Sequence, residues 1–192
     1  MKVGIVIRFT KKQWLCAFLL FLVFLTLNSH TFWKLMYPIQ YEEDVQEAAE
    51  HFNVDPFLIL AVMKIESGFK QERASKKGAE GLMQLMPETA EWINEKSGLN
   101  KAPHAYRHDP RDNILLGTWY LSYLLDKYQG DYVKTLVAYN AGQGNVDRWL
   151  AEGVWDGREY TIDQVPFGET RHYVKRALFY YDRYKKIYEE HF

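Results

Sequence analysis

The sequence predicts a mostly α protein, with one helical domain over residues 38–192 behind an N-terminal membrane helix within residues 1–37. Three observations carry this. Proline at helix starts and glycine at helix ends recur along 38–192. Period-two alternation is absent there apart from a short piece near 159–165, where a brief strand is expected. A charge-free apolar run lies between Lys12 and Asn28, behind a basic start. The 192 residues fit one compact domain with an appendage. An apolar share of 47% against 26% charged excludes wholesale disorder. The formal net charge of −1 leaves no global basic field, so nucleic acid is not an expected partner. Cys16 is the only cysteine, which excludes an internal disulfide and a structural zinc site.

The charge average hides an asymmetry. Residues 1–34 carry Lys2, Arg8, Lys11, Lys12 and Lys34 and no acid, which leaves 19 basic against 25 acidic residues in the remainder. A positive flank before an apolar run is the pattern of a membrane-targeting segment, because a charge in hydrocarbon costs kilocalories. Trp14–Leu27 alone is short for a span of roughly 20 residues. Continuation through Asn28 to Trp33 supplies the length, with Trp14 and Trp33 as interfacial anchors. No A-x-A-like site follows the apolar core, which favours a retained signal-anchor over a signal peptide cleaved before secretion. Cys16 stands at the start of the run and not at its end, which argues against a lipoprotein anchor. The positive-inside rule then puts the N-terminus in the cytoplasm and the acidic body outside a single-pass membrane segment.

The helices follow in order. Asp55-Pro56 reads as an N-cap and first-turn proline, with Gly68 as the stop. Pro87 opens a helix that Gly98 closes. Asp109-Pro110 opens a long one, apolar through Ile114, Leu115, Trp119, Leu121, Leu124 and Leu125, that ends by Gly130. Shorter helices are expected over about 132–140 and 144–151, and a long last one over about 170–189.

Helix 56–67 holds the first chemical clue. Leu58 to Met63 and Ile65 cover nearly every direction of the helix, and a helix apolar all round is a buried one. Glu66 projects from its last turn between the directions of Val62 and Ile59. Desolvation and the negative end of the helix dipole both push its pKa up. A carboxyl that stays protonated near neutral pH is what a general acid needs. The competing reading is a carboxylate turned to solvent or paired with Lys64 or Lys70. Next comes the loop Ala74–Pro87, where Gly78 and Gly81 bracket a short run and Gln84 offers a donor and an acceptor. It lacks the G-x-x-x-x-G-K-[ST] pattern of a phosphate loop. A third cluster, Ala138-Tyr139-Asn140-Ala141-Gly142, places a phenol and an amide at a helix end, where an ordinary C-cap with a core tyrosine is the alternative. His104 and His108 lack an HExxH context for a metal, and Ser67 has no GxSxG elbow.

Glu66-Ser67-Gly68-Phe69, Ser75, Gly78-Ala79-Glu80-Gly81-Leu82-Met83-Gln84-Leu85-Met86-Pro87, Ala138-Tyr139-Asn140-Ala141-Gly142 and Glu169-Thr170-Arg171-His172-Tyr173-Val174, in this order, resemble one family. It is the soluble-lytic-transglycosylase (SLT) catalytic domain, glycoside hydrolase family 23, and the resemblance spans about residues 45–185. It implies a goose-type lysozyme-like helical fold. It also implies cleavage of peptidoglycan glycan strands at the β-1,4 bond between N-acetylmuramic acid and N-acetylglucosamine, without water, leaving 1,6-anhydromuramic ends. In that scheme Glu66 is the single catalytic acid and Tyr139 hydrogen-bonds near it. Ser75, Gln84, Met86, Ala138 and Asn140 line sugar subsites, and Tyr173 supports the groove. No metal and no cofactor is implied.

Ordinary glycosidases need a second carboxylate, and sequence identifies none beside Glu66; Glu72 and Glu80 fall on a segment expected to be exposed. Three alternatives stand beside the lyase reading. One is a hydrolytic muramidase on the same fold, and another an inactive peptidoglycan-binding module. The third is an anchored scaffold that works with wall-synthesis or secretion-complex proteins.

Overall fold

The structure is a computed structural model that describes residues 10–27, 29–102 and 104–192. Lys2 and Arg8 of the basic flank, and Asn28 within the expected span, lie outside the described residues. The chain divides into two compact units, residues 1–38 and 39–192.

The first unit holds α1 (Lys11–Leu27) and α2 (His30–Met36). Helix α1 buries none of its residues. The continuous span expected from Trp14 to Trp33 is therefore two helices. Local hydrogen bonds explain the division. Thr26 Oγ1 donates back to the Val23 carbonyl at 2.8 Å, and Ser29 Oγ to the Thr26 carbonyl at 2.9 Å. Ser29 then caps the new helix by accepting from Phe32 N at 3.1 Å. Hydroxyl side chains that bond nearby backbone offer an alternative to the helical ladder, and here they end one helix and start another. Among the described residues no single helix is long and apolar enough to cross a membrane, whereas α1 and α2 together meet the length and composition for a bent span.

In the second unit the first helix, α3 (Glu42–Phe52), was not signalled by punctuation. Its N-cap is Tyr41 in the left-handed region with no side-chain cap, so the usual Ser/Asp signature is missing; three acids in its first turn favour the start instead. Helix α4 (Pro56–Glu66) starts where Asp55 Oδ1 accepts from Phe57 N at 2.8 Å. Helix α5 (Pro87–Ser97) ends at Gly98 with φ +69°. After a 3₁₀ turn at Ala105–Arg107 come α6 (Pro110–Lys127), capped by Asp109, and α7 (Tyr132–Ala141), capped by Asp131. Helices α8 (Gln143–Ala151) and α9 (Gly168–Tyr188) complete the unit.

The strand expected near 159–165 is a 3₁₀ helix, Glu159–Gln164. Arg158 N donates to Asp156 Oδ1, and Thr161 Oγ1 donates to both Asp156 and the Arg158 carbonyl. These bonds close tight turns, and no neighbouring strand competes for the backbone: among the described residues there are only the isolated bridges Ala74–Glu80 and Glu80–Leu85.

Helix α4 is the centre of the core. Its residues Phe57–Met63 are all buried, and it packs against α9 and α3, while α6 packs against α3, α5 and α7. Six large side chains at about 1.5–3 kcal/mol each hold α4 in place. The position of Glu66 at its C-terminus is thereby fixed.

Candidate active site

Helix α4 ends at Glu66 in a tight reversal. Ser67 N and Gly68 N both donate to the Met63 carbonyl at 3.1 Å, and Gly68 and Phe69 take φ of +63° and +65°. Ser67 Oγ donates to the Met63 carbonyl and accepts from Phe69 N, both at 3.1 Å. Ser67 is thus a buried fastening of the turn, and no nucleophile is formed there. Phe69 is anchored edge-on against Tyr184.

Glu66 itself is mostly buried, and burial pushes its carboxyl up to about 7; the neighbouring Tyr173 hydroxyl and Arg73 pull it down, and Glu169 adds to the rise. It forms an ion pair with neither Lys64 nor Lys70, the two partners that the competing reading offered beside solvent; Lys64 instead lies over the Phe69 ring at 5.7 Å. Tyr173, on α9, is buried, and its hydroxyl is turned to the Glu66 carboxyl, where it favours the carboxylate form. Tyr139, on α7, is close enough that the Glu66 charge raises its pKa further above the ordinary value, after burial itself. The Tyr139 proton goes to the Met83 carbonyl at 2.9 Å. Glu66 is therefore not held by a bond from Tyr139. The phenol fixes the loop beside it.

That loop is built on two supports. Glu80 and Leu85 exchange backbone bonds at 3.0 Å each, and Gly81 N and Gln84 Nε2 both reach the Arg73 carbonyl at 2.9 Å. From α6, the fully buried Asn113 accepts from Met83 N at 2.8 Å and donates to the carbonyls of Glu80 and Tyr106. Gly81 is required here: a Cβ at this position would stand 2.1 Å from Asn113 Nδ2, and its φ is +80°. Glu80 is drawn in by Arg107 at 2.7 Å, so the exposed position expected of it is replaced by a part-buried ion pair.

Around Glu66 a cleft of about 430 Å³ opens, lined also by Arg73, Ser75, Gln84, Asn140, Glu169, His172, Tyr173 and Arg176. Past Asn140 and Glu169 it meets a wider cleft of about 610 Å³ that includes Phe167 and Lys77. Past Arg73 it meets a smaller one of about 190 Å³.

Residues 43–161 match the model of the transglycosylase SLT domain family. The chain belongs to that family.

Among relatives of the SLT domain, a putative soluble lytic murein transglycosylase of Haemophilus influenzae is 35% identical over 159 residues, covering 80% of this chain and 26% of the relative. A membrane-bound lytic murein transglycosylase C of Serratia proteamaculans is 32% identical, covering 69% of this chain and 43% of the relative. Of solved structures, an inactive mutant of the lytic transglycosylase Slt of Pseudomonas aeruginosa superposes with a TM-score of 0.72 at 34% identity, covering 80% of this chain and 25% of that one. The 70 kDa soluble lytic transglycosylase of Escherichia coli gives 0.74 at 29% identity, covering 81% and 25%. The chain thus spans about a quarter of the length of its soluble relatives.

The structure brings Glu66, Ser75, Gln84, Asn140 and Tyr173 to one cleft. Two expected subsite residues stand apart from its lining. Ala138 is fully buried inside α7 and offers no surface to a ligand. Met86 serves as the N-cap of α5. Sequence reasoning missed Arg73 and Arg176. Arg176 had a usable signal, since Glu169, His172, Tyr173 and Arg176 share one face at i, i+3, i+4 and i+7. Arg73 had none, because an irregular loop and not a periodic element brings it to the cleft.

Proposed function

We propose that this SLT domain is a peptidoglycan lytic transglycosylase that cuts the β-1,4 bond between N-acetylmuramic acid and N-acetylglucosamine. The observation that carries the reading is one carboxyl, Glu66, raised to about 7 in an open cleft. Near neutral pH such a group is present as an acid and, once it has given its proton, is a competent base. Glu66 would protonate the bridging oxygen as the C1–O bond breaks. The resulting carboxylate would then take the proton of the muramic C6 hydroxyl as that oxygen closes on C1. The proton count balances without water, and the hydroxyl is already tethered to its target, which stands in for an external nucleophile. Ser75, Gln84 and Asn140 supply polar groups for the sugars, and Tyr173 turns its hydroxyl to the Glu66 carboxyl.

The domain is delivered to the wall side of a bacterial membrane, with α1 and α2 as the anchor and the N-terminus in the cytoplasm. The names of membrane-bound relatives and the joint length and composition of α1 and α2 support this. Carbonate extraction of cells tests it: an integral anchor leaves the protein in the pellet, and a cleaved signal releases a shortened form.

A second reading, a hydrolytic muramidase, is favoured by one observation: Glu169 is a second carboxylate in the same cleft. Incubation with purified peptidoglycan and mass analysis of the released muropeptides separates the two. Fragments lighter by one water support the lyase, whereas hydrated reducing ends overturn it. Glu66→Gln is expected to abolish release of either product.

A further inference from the structure

The cleft around Glu66 is electrically polarised along α9. Glu169 sits in the first turn of that helix and Arg176 two turns later, so their attachment points are about 10 Å apart along the axis. Glu169 borders the wide cleft on one side, and Arg73 borders the small cleft on the other. Arg73 and Arg176 are both exposed, and among the described residues neither has a carboxylate partner in an ion pair. Arg176 instead lies over the Tyr180 ring at 5.9 Å, which limits where its guanidinium can go. Elsewhere Arg107 pairs with Glu80, Arg111 with Glu47 and Arg158 with Asp156, while Arg148 bonds Asn145 and Arg171 bonds the Val165 and Pro166 carbonyls. Two guanidinium groups without an ion-pair acid line the same cleft as Glu169, and Arg176 stands about 10 Å along α9 from that carboxylate, so the cleft selects an occupant with negative charge on the side away from Glu169.

We propose that Arg73 and Arg176 form a carboxylate-binding subsite for the acidic peptide branch of the glycan strand. The proposal rests on the peptidoglycan reading above and adds where the branch leaves the sugar track. The strand runs from Glu66 past Asn140 toward Phe167, through the two larger clefts that share Asn140 and Glu169. The branch turns the other way, past Arg73 into the small cleft beside Glu72 and His108. A planar guanidinium suits a carboxylate because it donates two parallel hydrogen bonds. Glu169 at the opposite end rejects the reverse orientation by like-charge repulsion.

The test uses the full chain carrying Glu66→Gln, so that binding is read without turnover. The probes are solubilised glycan strands with free peptide carboxylates and the same strands with those carboxylates converted to amides, titrated calorimetrically. The free-acid strands are expected to bind about tenfold more tightly, with a preference that shrinks as salt rises. Adding Arg73→Gln together with Arg176→Gln should erase that preference and leave affinity for the amidated strands unchanged, which also shows that the fold is intact. Arg73→Lys in place of Arg73→Gln should restore part of it. Equal affinity for both strands, or a preference that survives loss of both arginines, overturns the subsite. The peptidoglycan reading fails separately, when the unsubstituted chain releases no anhydro-ended fragments.

Discussion

Replacement of Glu66 by glutamine should make the protein more stable, and increasingly so as pH rises. The folded chain holds the Glu66 proton more tightly than the unfolded chain does, with a pKa of about 7 against an ordinary 4.5. Between those values the native state binds more protons, so stability falls as pH rises, and above about 7 the full penalty is in place. The difference corresponds to roughly 3 kcal/mol at 1.36 kcal/mol per tenfold change in proton affinity. Solvent at the open edge of the cleft reduces this to about 1.5–3 kcal/mol. Glutamine keeps the shape and carries no charge, so it removes the penalty. The assay is urea unfolding of the compact 39–192 unit and its Glu66→Gln variant, at pH 5 and pH 8. The advantage of the variant should grow by about 1–2.5 kcal/mol between the two, or about 0.5–1.25 M in midpoint at an m-value near 2 kcal/mol/M. A difference that is the same at both pH values would show that Glu66 titrates normally, and the acid role would lose its physical basis.

Tyr139→Phe leaves the buried Met83 carbonyl without its donor; turnover should drop about tenfold with little change in KM, and an unaltered kcat would remove the phenol from the site's construction. Asn113→Ala strands the Met83 amide and two carbonyls, for about 2–4 kcal/mol. Thermal unfolding should then come about 5–12 °C earlier, and a shift under about 2 °C would mean that the loop is held by other contacts. On the proposed activity, the kcat profile of the unsubstituted chain should fall above about pH 7 as Glu66 loses its proton; a profile that keeps rising through pH 9 would exclude Glu66 as the acid.

Helices with side-chain punctuation were readable in the sequence because the cap is itself a residue type. Asp55-Pro56, Asp109-Pro110 and Gly98 all act where their chemistry says they should. Helix α3 was silent because Tyr41 supplies backbone conformation and no capping atom. The apolar run at the N-terminus read as one span because hydropathy does not weigh the Ser29 and Thr26 hydroxyls that bond the backbone. At the site, the environment of Glu66 followed from helix 56–67 being apolar on every side, a local property. The partner of Tyr139 and the burial of Ala138 depend on how α7 meets the loop after Arg73, and no spacing within either segment records that. Arg73 is the extreme case, since a loop turn decides which way it faces.

The tip of the loop at Ser75–Ala79 closes on itself: Ser75 N reaches the Ala79 carbonyl at 2.8 Å, and Ala79 N returns to Ser75 Oγ at 2.9 Å. The segment behind it is clamped by Asn113 of α6. Frame and tip are therefore separable, and Lys76 and Lys77 occupy places where residues can be exchanged without disturbing Glu66. A library varied at those two positions alone would retune the rim of the cleft while the frame around Glu66 stays as built.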